Sequence, residues 1–156
     1  MSHDHSHSHH HHDDERWKHD GVRVIPGNQL DPNVPSTPGM NRAAAITYAR
    51  AGAQKLWAGT VTIHANAKTG AHHHGEVESV IYVVKGKARM RWGDRLEFMA
   101  EAGPGDFIYV PPYVPHQEIN ASASEPFVYL AVTTPPQDFT PAYKGRRTST
   151  GPTTGD

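Results

Sequence analysis

The chain has 156 residues, no cysteine, 13 histidines and a formal net charge of −1. That length holds one ordinary domain, and the missing cysteines leave only His, Asp or Glu as metal ligands. Near-balanced charge argues against a nucleic-acid partner, and no apolar run approaches the roughly 18 residues that would suggest a membrane span.

Residues 1–20 carry eight of the histidines among Asp and Ser and have little apolar content. This head is expected to be disordered, either as a tag or as a native metal-buffering tail. It has no apolar core of the signal-peptide kind, so a cytoplasmic location is expected. Residues 21–42 read as an extended arm: Val22 to Ile25 is a short candidate strand, and Pro32, Pro35, Pro38 and Gly39 then keep the chain looping.

The foldable body is expected over residues 43–134. Ala43 to Ala49 reads as a strand, because Ile46-Thr47-Tyr48 outweighs alanine's helix propensity and Ala51-Gly52 suggests a hairpin. Gln54 to His64 reads as a long strand with Trp57, Val61 and Ile63 on one parity, and Gly59 marks a bend within it. Further strands are expected at Val80 to Val84, Lys87 to Trp92, Leu96 to Ala100, Phe107 to Val110, His116 to Asn120 and Phe127 to Val132. Gly93-Asp94 is read as a tight hairpin turn. From residue 135 onward, Pro, Thr and Gly dominate and disorder is expected. Nine or ten short strands with closely spaced turns make an all-β sandwich or barrel.

The chemistry concentrates in two stretches. Gly70 to Gly86 reads G-A-H-H-H-G-E-V-E-S-V-I-Y-V-V-K-G, and Pro111 to His116 reads P-P-Y-V-P-H. Side chains at i, i+2 and i+4 of a strand share a face. On an unbroken strand His72, His74 and Glu78 therefore face the same way as Val80, Tyr82 and Val84, with His73 opposed. Whether Gly75 interrupts the strand is left open. Three imidazoles and a carboxylate suit a divalent transition metal and leave positions for water, O2 or a substrate. A solvated run of surface histidines is the competing account.

Both stretches resemble the motifs of the cupins. Gly70 to Gly86 is similar to the first motif: a glycine, a His-x-His pair, a glutamate four residues on, and a later glycine. Gly105 to Asn120 is similar to the second through Gly105, Pro111, His116 and Asn120. The resemblance implies a small single-domain cupin, a jelly-roll β-barrel of the RmlC-like kind. It further implies that His72, His74, Glu78 and His116 ligate one divalent metal (Fe, Mn, Ni, Cu or Zn). Two departures stand out. Tyr113 occupies the usual place of a glycine, and the gap from Glu78 to Gly86 is one residue too long, which reads as a bulge.

Glu118 shares parity with His116 and is a candidate catalytic base or orienting acceptor; a surface carboxylate is the plainer account. Tyr82 is a candidate proton donor, against a plain core tyrosine. Trp57, Trp92, Phe107, Tyr109 and Tyr129 form an apolar pocket if they point inward. The function expected is a metal-dependent enzyme on a small organic substrate, with a dioxygenase-type oxidoreductase preferred over a decarboxylase or isomerase. The alternatives are a non-catalytic small-molecule or metal-binding module and a metal-independent sugar isomerase or epimerase. Edge strands and the N-terminal arm suggest a homodimer.

Overall fold

The structure, a computed structural model, describes residues 21–134. The His-rich head and the Pro/Thr/Gly-rich tail lie outside the described residues. Eight strands follow in chain order: β1 (Met40–Ile46), β2 (Trp57–Ile63), β3 (Glu78–Lys85), β4 (Ala88–Trp92), β5 (Phe98–Ala102), β6 (Phe107–Val110), β7 (His116–Asn120) and β8 (Phe127–Thr134). They form a five-stranded sheet ordered β1-β2-β8-β3-β6 and a three-stranded sheet ordered β5-β4-β7. All their pairings are antiparallel. This is the jelly roll expected. Among the described residues no helix is long and apolar enough to cross a membrane.

Alternation builds the core. In β2 Trp57, Gly59, Val61 and Ile63 face inward; in β8 Phe127, Tyr129, Ala131 and Thr133 do. Ile63, Val83 and Phe127 are completely buried and seat the two sheets on each other. Gly59 does not bend its strand. A Cβ there would lie 2.4 Å from the Ala43 carbonyl and 2.7 Å from the Trp57 ring, so glycine makes room for the tryptophan.

Five expected elements differ, the first being β2, which starts at Trp57 and not at Gln54. Val22 to Ile25 pairs with no strand and leaves Val22 and Val24 exposed; the arm meets the sheet through a bridge from Asp31 to Ala44. The first strand begins and ends earlier than expected, and a single helical turn, α1 (Tyr48–Ala51), follows it. Thr47 caps that turn, its hydroxyl accepting from the Arg50 N–H at 3.0 Å, and Gly52 closes it at φ 77°. Ala51-Gly52 is thus a helix C-terminus, not a hairpin. The β4–β5 turn runs from residue 93 to 97, with Leu96 at φ 53°, which moves the returning strand two residues along.

Candidate metal centre

Backbone pairing brings the two motifs together. The Lys68–His72 segment runs antiparallel to β7, with bridges from Lys68 to Ile119 and from His72 to His116. Thr69 reinforces the seam: its N–H donates to the Glu118 carbonyl at 2.9 Å, and its hydroxyl accepts from the Glu118 N–H at 3.0 Å. The loop before β7 joins from the other side, where the Tyr113 N–H donates to the Gly75 carbonyl at 2.8 Å. Tyr113 adopts φ 64°, the left-handed conformation that explains why a glycine is usual there. Its ring lies 5.9 Å from that of His73. Asn120 clamps the far end, donating to the carbonyls of Ile63 and Glu125 at 3.0 and 2.8 Å.

These contacts converge three imidazoles. The ligand nitrogens of His72, His74 and His116 all lie within 4.8 Å of one another, and the Nε2 atoms of His72 and His74 are 3.0 Å apart. Two rings are held from behind. His72 Nδ1 lies 2.7 Å from the Gly70 carbonyl and His116 Nδ1 lies 2.9 Å from that of Val114. A carbonyl only accepts, so each Nδ1 carries a proton and each Nε2 faces the cluster, as a lone pair when the ring is neutral and as an N–H when it is charged. The Nε2 atoms of His72 and His74 are within hydrogen-bond reach, so without a metal one donates an N–H to the other, and a metal ion would take that proton's place. The donor set therefore fits a divalent transition metal.

Of the residues expected to complete the site, Glu78 is not with the trio. Gly75 sits at φ 65° within a turn over residues 75–76, which breaks the strand parity counted from His72. In β3 the buried set is Ser79, Ile81 and Val83, while Glu78 and Val80 are exposed. Glu78 interacts there with Tyr109, whose pKa rises through its own desolvation and the neighbouring carboxylate. Tyr82 lies on the same outward parity, its ring 4.8 Å from Phe107. The expected bulge is present, but at Val83–Lys85, beyond the positions that decide which side chain faces in.

Glu118 is not a surface carboxylate. It is buried on the inward face of β7, two residues from His116, with Oε2 3.5 Å from His116 Nε2. Oε1 accepts from the Tyr129 hydroxyl at 2.6 Å. Burial acts to raise its pKa, but the hydrogen bond to His116, the charges of His116 and His72, and the tyrosine outweigh that and hold it at about 2. Burial and the adjacent carboxylate push the Tyr129 hydroxyl well above its usual range. His73 is held below the ordinary histidine range, by burial first and then by His116.

Two spaces adjoin members of the trio, one at His74 and His116 and one at His116 alone. A void of about 30 Å³ is bounded by His74, Ser79, His116, Glu118 and Thr133, among others. It exceeds the roughly 10–15 Å³ that one water requires. Among the described residues the buried Thr133 hydroxyl has no hydrogen-bond partner. On the other side a cleft of about 570 Å³ opens between β5 and β6, with Met90, Trp92, Ala100, Ile108, Val110 and Val114 on its walls and His116 at its inner end. Of the aromatics expected to form a pocket, Trp92 lies on the wall of this cleft, Trp57 and Tyr129 are buried in the core, and Phe107 and Tyr109 are largely exposed at its lip. Ser79 and Thr133 were not legible as site residues; counting inward parity back from Ile81 and Val83 would have marked the serine.

Residues 59–133 match the family model described as a cupin domain. A 69-residue stretch is 38% identical to the glucose-6-phosphate isomerase of Thermococcus kodakarensis, spanning 41% of this chain and 35% of that protein. The chain thus covers about a third of the length of the curated relatives it matches. Among solved structures, KdgF from Halomonas sp. is similar at TM-score 0.62 and 18% identity, over 75% of this chain and 96% of that one. The polyketide cyclase RemF from Streptomyces resistomycificus is similar at TM-score 0.62 and 21% identity, over 72% and 79% of the two chains. With the motif match and the jelly-roll topology in agreement, the chain contains a cupin domain.

Proposed function

We propose that this chain is a metal-dependent enzyme acting on a small, largely apolar organic substrate, by dioxygenase-type oxidation. The observation that carries the reading is a trio of converging imidazoles, one of which, His116, also lines a largely apolar cleft of about 570 Å³. That volume lies in the range of small-molecule sites. A divalent ion held by His72, His74 and His116 would supply Lewis acidity and, for a redox-active metal, a means of engaging O2. The protein's own part is positional. The Gly70 and Val114 carbonyls hold the histidine tautomers, and Met90, Trp92 and Val114 seat an apolar ring or alkyl body and exclude water.

A second reading is a Lewis-acid isomerisation or cyclisation without O2. An isomerase and a cyclase among the similar proteins favour it. The two readings separate in one experiment. Full-length chain loaded with Fe2+, Ni2+ or Cu2+ is tested for oxygen uptake with phenols and 1,3-diketones. The same compounds are incubated anaerobically with Zn2+- or Mn2+-loaded chain and followed for solvent deuterium incorporation. Uptake that His116→Ala abolishes supports oxidation, and anaerobic exchange faster than in the His116→Ala chain, without uptake, supports the second reading. Neither, across all metals, would leave a binding module.

A further inference from the structure

A carboxylate does face the imidazoles, but it comes from the second motif. We propose that Glu118 of β7, not Glu78 of β3, is the acidic donor of the metal centre. The inference rests on the metal reading above.

Strand parity is the first ground. At the histidine end of β3 the inward position belongs to Ser79, which lies seven residues before Gly86, one fewer than Glu78. A hydroxyl stands where the motif's carboxylate would point inward, and Glu78 is turned to the outer face with Tyr109. On β7 the inward set is His116, Glu118 and Asn120. The acid has thus moved from one sheet to the facing one.

Orientation is the second. The Tyr129 hydroxyl engages Oε1 at 2.6 Å and leaves Oε2 toward the trio, 3.5 Å from His116 Nε2. Tyr129 is therefore a positioning residue. Space is the third. His74, His116 and Glu118 border the same 30 Å³ void, and Ser79 and the unpartnered Thr133 hydroxyl border it too. A buried carboxylate and two imidazoles bordering one small void supply the oxygen and nitrogen donors that a divalent ion takes. Arg42 also lines the void, so a purely structural Arg42–Glu118–Tyr129 cluster is the competing account.

The test is Mn2+ titration of the full-length chain, read from loss of the free-ion EPR signal. Mn2+ is the weakest binder among the first-row divalent ions, so the histidine-rich N-terminus competes least for it. A His72→Ala/His116→Ala double variant supplies the background. Wild type is expected to bind one Mn2+ per chain above that background. Glu118→Gln should weaken binding by about 10- to 100-fold, while Glu78→Gln stays within about twofold of wild type. If Glu118→Gln fails to fold by circular dichroism, Tyr129→Phe decides: a weakened Mn2+ site supports the assignment, and wild-type affinity overturns it. Wild-type affinity in folded Glu118→Gln overturns it too, whether or not Glu78→Gln loses the ion. Wild type indistinguishable from the double variant would sink the metal reading itself, and this inference with it.

Discussion

His72 and His116 exchange both backbone hydrogen bonds. The His72 N–H donates to the His116 carbonyl at 3.0 Å, and the His116 N–H donates back at 2.9 Å. The two motifs, 44 positions apart, are therefore a hydrogen-bonded antiparallel pair at the point where their rings are needed. Main-chain pairing sets the register of the two histidines, and the Thr69 and Asn120 side chains reinforce it.

It follows that His116→Ala should keep the fold while removing a donor. The metal-free variant is expected to lose about 1–2 kcal/mol of stability from the emptied buried position. Wild type should gain about 2.7 kcal/mol from a metal at 100 times its dissociation constant, and the variant almost nothing. Thermal unfolding with and without Zn2+ checks both parts.

Acid should destabilise the metal-free protein through Glu118. Its folded pKa, about 2, lies below the ordinary 4.5. Its contribution is thus fully present above about pH 4.5 and is lost as pH falls toward 2, on the order of 3 kcal/mol in all. Urea unfolding at pH 6, 4 and 3 should show a steep acid limb in wild type and a flatter one in Glu118→Gln. Equal limbs would mean that the carboxylate is not held ionised by its neighbours.

Tyr113 stands at φ 64° with its ring largely exposed. The left-handed conformation costs a non-glycine residue about 1–2 kcal/mol, and a β-branched one more. Tyr113→Val should therefore destabilise the protein by about 1–2 kcal/mol. Tyr113→Gly should stay within about 1 kcal/mol of wild type, relief of strain offsetting the greater freedom of the unfolded chain. Chemical denaturation of the three proteins ranks them.

Ala100 lines the cleft from β5 and is exposed there. Ala100→Trp should fill the β5 side of the cleft, which neither His72 nor His74 lines. An apolar dye such as anilinonaphthalene sulfonate should bind at least about tenfold more weakly, as expected for an occupied apolar pocket, while Mn2+ affinity is unchanged. Dye binding at the wild-type level would place the apolar site elsewhere.

The strands from β2 onward were legible from their apolar runs and turn residues, and the inward face of β2 from the shared parity of Trp57, Val61 and Ile63, but β3 was read with Val80, Tyr82 and Val84 on the ligand face where Ser79, Ile81 and Val83 point in. Three of the expected ligands, His72, His74 and His116, do meet. Glu78 was misplaced because parity carries through a chain only while it stays extended. Gly75 turns the backbone at φ 65°, and the count restarts beyond it. Glu118 carried the right parity with His116 but looked like a surface residue, since nothing in its neighbours along the chain announces Tyr129 or Thr69 behind it. Ala51-Gly52 failed for a similar reason: a glycine that ends a helical turn and one that makes a hairpin look alike until the cap at Thr47 is seen.

β5 and β6 are each one edge of their sheets and, among the described residues, do not pair with each other. The barrel is consequently slotted along one side, and the slot reaches inward to His116. A bound molecule need not fit entirely within the walls. Its reacting head would lie at the histidines while a longer tail passes between the two edges into water. Selection would then fall on the head alone, and a homologous series differing only in tail length would be handled with nearly uniform affinity.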